Sequence, residues 1–234
     1  MELSEIVPVP GVGRIFRRTL RPGLADAAPS GRIRLDGLAR WVQDLAYADV
    51  DDAQVADESV WVVRRMRICV ERFPRFGEDV DALTFCSGYG RLWAERRVDF
   101  QSASGSVQVT GIWVHVNPKT RLPAALPESF DRVWAESAQG RKVKARLRHA
   151  SPVGDEAARE WFFRRSDADI AEHVNNAAYW EPIEETIGDP ASYDAEIEFR
   201  EPAQPGPARV LSGDGVTWIT AEDGRVHASI ALGR

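Results

Sequence analysis

The sequence predicts an α+β chain that lays down one order of elements twice, giving two antiparallel sheets each wrapped around a long helix. Three observations predict it. An apolar stripe at helical spacing runs through Leu35, Leu38, Ala39, Val42, Leu45 and Ala46. Strand-length stretches with alternating apolar positions follow it, and the order of strand, loop, helix and strands restarts at Trp161. The punctuation also recurs: Arg72-Phe73-Pro74 with Gly77 is matched by Arg200-Glu201-Pro202 with Gly206, one residue longer, which aligns Pro74 with Pro202.

In order, residues 12–21 read as a first strand, and Gly11 and Gly13 within reach of it are too little for a phosphate loop. Asp26 to Gly31 is a turn-rich loop. The helix then covers about Leu35 to Asp49, with Asp36, Arg40, Gln43 and Asp44 on its outer face. Four strands follow. Trp61 to Glu71 alternates Met66, Ile68 and Val70 with Arg65, Arg67 and Glu71; Asp79 to Ser87, Trp93 to Gln101 and Val107 to Asn117 come next. Ser104-Gly105 fits a hairpin turn between the last two, with a counterpart in Asp223-Gly224.

Leu122 to Asp155 shows no strand alternation and reads as a connector. It holds Arg141 to His149, with five Lys or Arg and no acid. Such a run is either a solvated surface or a docking patch for an acidic partner or for phosphates. The expected units are residues 1–130, a connector at 131–158, and a second unit at 159–234.

Composition narrows the function. Hydrophobic content of 44% and charged content of 28% suit a globular chain. No apolar run approaches the roughly 20 residues of a membrane span, and the start, with Glu2 and Glu5, lacks a signal pattern. A cytoplasmic protein without membrane attachment is expected. A net charge of −6 argues against general nucleic-acid binding. Cys69 and Cys86 make no CxxC pair and no metal spacing, and read as small apolar residues.

The chemistry concentrates in Arg165-Ser166-Asp167-Ala168-Asp169-Ile170-Ala171-Glu172-His173-Val174-Asn175-Asn176-Ala177-Ala178-Tyr179. Trp161 to Arg165 reads as a strand. Asn175 or Asn176 caps a helix that starts at Ala177, whose first N–H groups would be free to hold a carbonyl oxygen. Asp167, Asp169 and His173 therefore share a strand-to-helix loop. Pro182 stands several residues into that helix, where it would remove a hydrogen bond or kink the chain. One reading makes His173 a structural ring and Asp169 a brace on loop N–H groups. The other makes Asp169 orient or charge His173, and His173 activate water.

Asp-x-Asp-x-x-x-His-Val-Asn-Asn-x-x-Tyr resembles the signature of the plant and bacterial fatty acyl–acyl carrier protein thioesterases. Trp61-Val62-Val63-Arg64-Arg65-Met66, Arg72-Phe73-Pro74 with Gly77-Glu78-Asp79-Val80, and Trp113-Val114 through Thr120-Arg121-Leu122-Pro123 agree with it, so the likeness covers nearly the whole chain. The resemblance implies a tandem, or double, hotdog fold and hydrolysis of fatty acyl thioesters on acyl carrier protein ahead of coenzyme A. It implies no metal or organic cofactor and leaves room for a homodimer. It implies Asp169 and His173 as catalytic groups, with Glu201 the nearest match to the family's acid on a later strand. Asn175, Leu38, Trp41, Val42 and Leu45 would meet the substrate, the last four as an acyl pocket or as plain helix-on-sheet core. The first-half loop, Asp26 to Gly31, is expected to have lost chemistry and to enclose the acyl chain. The chain departs from the family at Ala171, where an asparagine is expected. The competing readings are a non-catalytic acyl- or acyl-CoA-binding protein on the same scaffold, and a hotdog hydratase or dehydratase, which the signature does not favour.

Overall fold

The computed structural model describes residues 2–55, 60–154 and 156–233; Asp155, the expected end of the connector, and the two chain ends lie outside them. The long apolar stripe forms helix α1 (Leu35–Asp52). The first half supplies strands β1 (Phe16–Leu20), β2 (Val60–Arg72), β3 (Val80–Tyr89), β4 (Trp93–Gln101) and β5 (Ser106–Val116). A short helix α2 (Glu128–Val133) follows. The second half supplies β6 (Ala157–Phe163), helix α3 (Glu181–Ile187), β7 (Tyr193–Phe199), β8 (Gly206–Gly213), β9 (Val216–Thr220) and β10 (Val226–Leu232).

The strands form one sheet and not the two expected. Its order is β1-β3-β4-β5-β2-β7-β10-β9-β8-β6, antiparallel throughout. The halves join where β2 meets β7, with Arg65 opposite Glu198 and Val70 opposite Tyr193. Each strand would otherwise be an edge with a row of unpaired backbone groups, so pairing edge to edge satisfies both. The core is correspondingly continuous: Leu35, Leu38 and Leu45 of α1 belong to one buried cluster with Tyr179, Trp180, Ile197 and Ile230 of the second half.

The second helix is also not long. Asn176–Trp180 is a 3-10 turn, and α3 begins only at Glu181. Pro182 stands in the first turn of α3, where its missing N–H is not needed, so it neither breaks nor kinks a helix. Gly188, at φ 67°, ends the helix.

The outer face of α1 is covered in part, with Asp44 left exposed. It packs on the 3-10 turn of the other half; Asp36 is fully buried beneath Arg34 and Arg40, and Gln43 is half-buried. The other face of the sheet is covered by an extended strap. Along it Arg141 turns inward to Glu95, while Lys142, Lys144 and Arg146 are exposed. Among the described residues no helix is long and apolar enough to cross a membrane.

Candidate active site

The Asp169 loop and the first-half loop share one backbone design. Ala28 N–H donates to Arg32 O at 2.8 Å, and Asp169 N–H to His173 O at 3.0 Å. Arg34 N–H donates to Asp26 O, and Asn175 N–H to Asp167 O, both at 2.8 Å. Corresponding residues are 141 positions apart (169 less 28, 175 less 34). Each loop is entered through an aspartate brace, from Gly23 N–H to Asp26 at 2.9 Å and from Arg164 N–H to Asp167 at 2.7 Å. Asp167 is thus occupied in holding the turn. The same left-handed residue crowns both loops, Gly31 at φ 85° and Glu172 at φ 63°. Each loop is anchored to the strand end beyond it: Ile33 N–H donates to Pro74 O and Val174 N–H to Ala203 O, both at 2.9 Å. Pro74 therefore corresponds to Ala203, one residue beyond the Pro202 that the sequence pattern suggested.

Where the loops differ, the chemistry differs. The first half has Ala28 and Arg32 in place of Asp169 and His173. Arg32 is buried and bonded to Glu184 of α3 and to Gly188 O, which closes that position with an ion pair. In the second half, Asp169 Oδ2 accepts from Asn175 Nδ2 at 2.8 Å and its Oδ1 from Ala171 N–H at 2.9 Å. Asn175 Oδ1 in turn accepts from Gln43 Nε2 and from Ala177 N–H, both at 2.9 Å. A polar chain thus runs from α1 of one half to the carboxylate of the other.

His173 is half-buried and joins Asp169 through the backbone bond at the loop's neck; among the described residues no hydrogen bond links its ring to the Asp169 carboxylate. The expected free N–H groups at the following helix are taken. Asn175 caps Ala177 with its side chain and Ala178 with its carbonyl, the latter at 2.9 Å. Glu201 is exposed, its carboxylate 3.6 Å from Arg225, and among the described residues no hydrogen bond or ion pair joins it to Asp169 or His173. Tyr179 is buried, its hydroxyl accepting from Ala203 N–H at 2.8 Å, and burial pushes its phenol up to about 12. Leu38, Trp41, Val42 and Leu45 are buried in the main core.

Gln43 is the residue that sequence reasoning placed on the wrong side. Its one signal was the repeat itself: Gln43 stands 141 positions before Glu184 (184 less 43), the carboxylate that reaches across the halves at the first loop.

A mostly apolar cavity of about 90 Å³, with Glu95 and Arg96 among its lining residues, opens further along α1. Tyr47 and Val50 of α1, Trp61 and Trp113 of the sheet, and Phe130 and Trp134 around α2 form its walls. Cys86 also faces it; burial pushes this thiol up to about 11, which keeps it protonated and unreactive.

Comparison with known proteins identifies the family and the fold. The model of the acyl-ACP thioesterase N-terminal domain matches residues 13–133, and that of the acyl-ACP thioesterase C-terminal domain matches residues 150–202. An uncharacterized protein of Mycobacterium tuberculosis is 29% identical over 207 residues, covering 86% of this chain and 83% of the relative. A chloroplastic palmitoyl-acyl carrier protein thioesterase of Gossypium hirsutum is 31% identical over 134 residues, 51% of this chain and 31% of that protein. This chain therefore aligns with about a third of the plant protein's length. The fold is shared with an acyl-ACP thioesterase from Bacteroides thetaiotaomicron, at TM-score 0.75 and 16% identity, covering 93% of this chain and 96% of that one. It is shared as well with the 12:0-ACP thioesterase from Umbellularia californica, at TM-score 0.70 and 18% identity, covering 92% and 95%. With the N-terminal model alone spanning more than half of its length, the chain belongs to the acyl-ACP thioesterase family.

Proposed function

We propose that this chain, on a double hotdog scaffold, hydrolyses fatty acyl thioesters held on acyl carrier protein to free fatty acid. The observation that carries the reading is the polar chain Gln43–Asn175–Asp169, set at a loop whose neck pairs Asp169 with His173. His173 takes a proton from water on a ring nitrogen as the water oxygen attacks the thioester carbonyl carbon. The carbonyl oxygen becomes an oxyanion. Collapse of the tetrahedral intermediate expels the thiolate, which takes the proton back from His173, leaving a free acid and a free thiol. Asp169 and Asn175 fix the loop that carries the base. Gln43 spends one amide hydrogen on Asn175, and its second is the donor for the oxyanion.

A hydrolysis assay with acyl carrier protein and coenzyme A thioesters, followed by thiol release, tests the reading; no turnover with either would leave an acyl-binding protein. Gln43→Ala should lower kcat by roughly 10²-fold with KM little changed, in line with losing one oxyanion donor. Gln43→Glu fits the same space but cannot donate, so it should lose about as much. A variant Gln43→Glu with full kcat would remove Gln43 from the chemistry.

The strap supplies a docking surface for the acidic carrier. Lys142, Lys144 and Arg146 alternate outward, while Arg141 and Arg148 are held by Glu95 and Glu196. Reversing the three outward charges should raise KM for the carrier-linked substrate severalfold at low salt and leave a short soluble thioester unaffected. The difference should shrink above ~0.15 M salt, where screening acts over about 8 Å. Equal effects on both substrates would exclude the strap as the docking surface.

A further inference from the structure

We infer that Tyr179 is a positioning residue for His173, acting through the backbone of Ala203. The inference rests on the thioester reading above, no step of which uses the phenol. The Tyr179 hydroxyl accepts from Ala203 N–H at 2.8 Å, and Ala203 O accepts from Val174 N–H at 2.9 Å. Val174 directly follows His173. One side-chain hydrogen bond thus holds the strand-end residue from which the neck of the loop hangs.

The phenol ring is itself fixed. Tyr179 is 2% exposed. Its ring lies 5.3 Å from Phe163, the last residue of β6, and 5.4 Å from Phe199, the last residue of β7, the latter edge-on at 89°. Asn175, four residues earlier, caps the 3-10 turn that carries Tyr179. A closed circuit results. The turn leaves the site at Asn175 and returns, through Tyr179 and Ala203, to the residue beside the base.

The first half is an internal control. Tyr179 corresponds to Leu38 (179 less 38 is 141), and each stands four residues after its N-cap, Asn175 and Arg34. Leu38 is fully buried and has no hydrogen-bonding side-chain atom. The anchor opposite it is Pro74, which has no N–H, so no acceptor is called for. Ile33 N–H still bonds Pro74 O at 2.9 Å. The two positions differ together: leucine goes with proline where the loop carries Arg32, and tyrosine goes with alanine where it carries His173. Packing alone is served by leucine. The hydroxyl is needed only where the anchor presents a buried N–H.

The test uses two proteins. Tyr179→Phe keeps the ring and removes the hydroxyl. Adding Ala203→Pro also removes the N–H and restores the pairing logic of the first half. Turnover of an acyl carrier protein thioester is followed by thiol release. Without its acceptor the buried Ala203 N–H shifts toward another partner and carries Val174 with it. A displacement of about 1 Å at a reacting group can cost 10²-fold in rate, so kcat of Tyr179→Phe should fall roughly tenfold with KM unchanged. The double variant has no N–H to satisfy, so its kcat should recover to within about threefold of wild type although the hydroxyl is still missing. An unchanged kcat in folded Tyr179→Phe would overturn the inference. So would a loss that the folded double variant does not recover, since the hydroxyl would then act on the chemistry directly. Amide hydrogen exchange reads the same bond without turnover and without the double variant. If no thioester is hydrolysed, the catalytic reading fails by itself, and exchange still tests the anchor. In Tyr179→Phe, Val174 N–H should lose roughly tenfold in protection while Ile33 N–H, on Pro74, keeps its own. Unchanged protection at Val174, or an equal loss at Ile33, would overturn the assignment.

Discussion

Replacing His173 by alanine is expected to lower kcat by roughly 10²-fold or more with little change in KM, because under the proposed mechanism it removes the base and leaves the acyl and carrier contacts in place. The geometry makes the expectation specific. His173 is held at the neck of its loop by the bond from Asp169 N–H to His173 O, and that bond does not depend on the imidazole. The loop of the His173→Ala variant should therefore keep its shape, and the loss should fall on the chemical step. Asp169→Asn acts differently. The carboxylate accepts from both Ala171 N–H and Asn175 Nδ2, and an amide can accept with only one of its two atoms. One of these contacts is lost, so kcat should fall by less than in His173→Ala, and the loop should become more mobile in hydrogen exchange. Steady-state kinetics on a carrier-linked thioester across pH 5–9 would measure both. Full activity in the His173→Ala protein would move the search to another base. Asp169→Asn losing more than His173→Ala would make Asp169 the principal group.

Much of this site was written in local pattern, and the missing parts were those set by distant partners. The stripe from Leu35 to Ala46 specified α1, and the Asp-x-Asp…His-Val-Asn-Asn stretch located the loop, because helix period and loop chemistry are local properties. Gln43 was misplaced because its position on the helix reads as solvent-facing. Only the crossing of the two halves puts the 3-10 turn Asn176–Trp180 over it. The merging of two sheets into one was hidden for a similar reason. Alternation in β2 and β7 identifies strands with a buried face, but says nothing about which strand lies beside which. The length of the second helix was legible in Pro182, given that proline is at home in a first turn and costly in an interior. The repeat register slipped by one because it was anchored on identical residues, Pro74 and Pro202. The backbone bonds from Ile33 and Val174 show that the equivalent acceptors are Pro74 and Ala203.

The back face of the sheet carries the largest expected effect on stability. Strand alternation along β7 sends Ala195, Ile197 and Phe199 to the core and Asp194, Glu196 and Glu198 outward, a pattern that reads as half-exposed. Glu196 is nonetheless fully buried, because the strap and the N-terminal segment close over it. Its oxygens accept from Arg148 at 2.6 Å and Ser4 N–H at 2.9 Å, with Arg65 at 3.7 Å and the His149 ring at 3.8 Å. Burial alone would push this carboxyl up; the His149 and Ser4 contacts and the charges of Arg148 and Arg65 outweigh it and hold the group down at about 2. Glu196→Ala leaves Arg65 buried without its carboxylate and should cost on the order of 3–5 kcal/mol. For a chain of this size that is a fall in Tm of about 10 °C. The pH dependence has a definite sign. The folded carboxyl is depressed from 4.5 to about 2, so its contribution is complete above about 4.5 and is lost as pH falls from there toward 2. Spread over that window it amounts to about 3 kcal/mol. Glu196→Gln keeps the shape without the titration, so its stability should decline less steeply than the wild type's between pH 4.5 and 2. Urea unfolding at a series of pH values measures both slopes. Parallel slopes would show that Glu196 does not drive acid unfolding, and that the strap is held to the sheet by its other contacts.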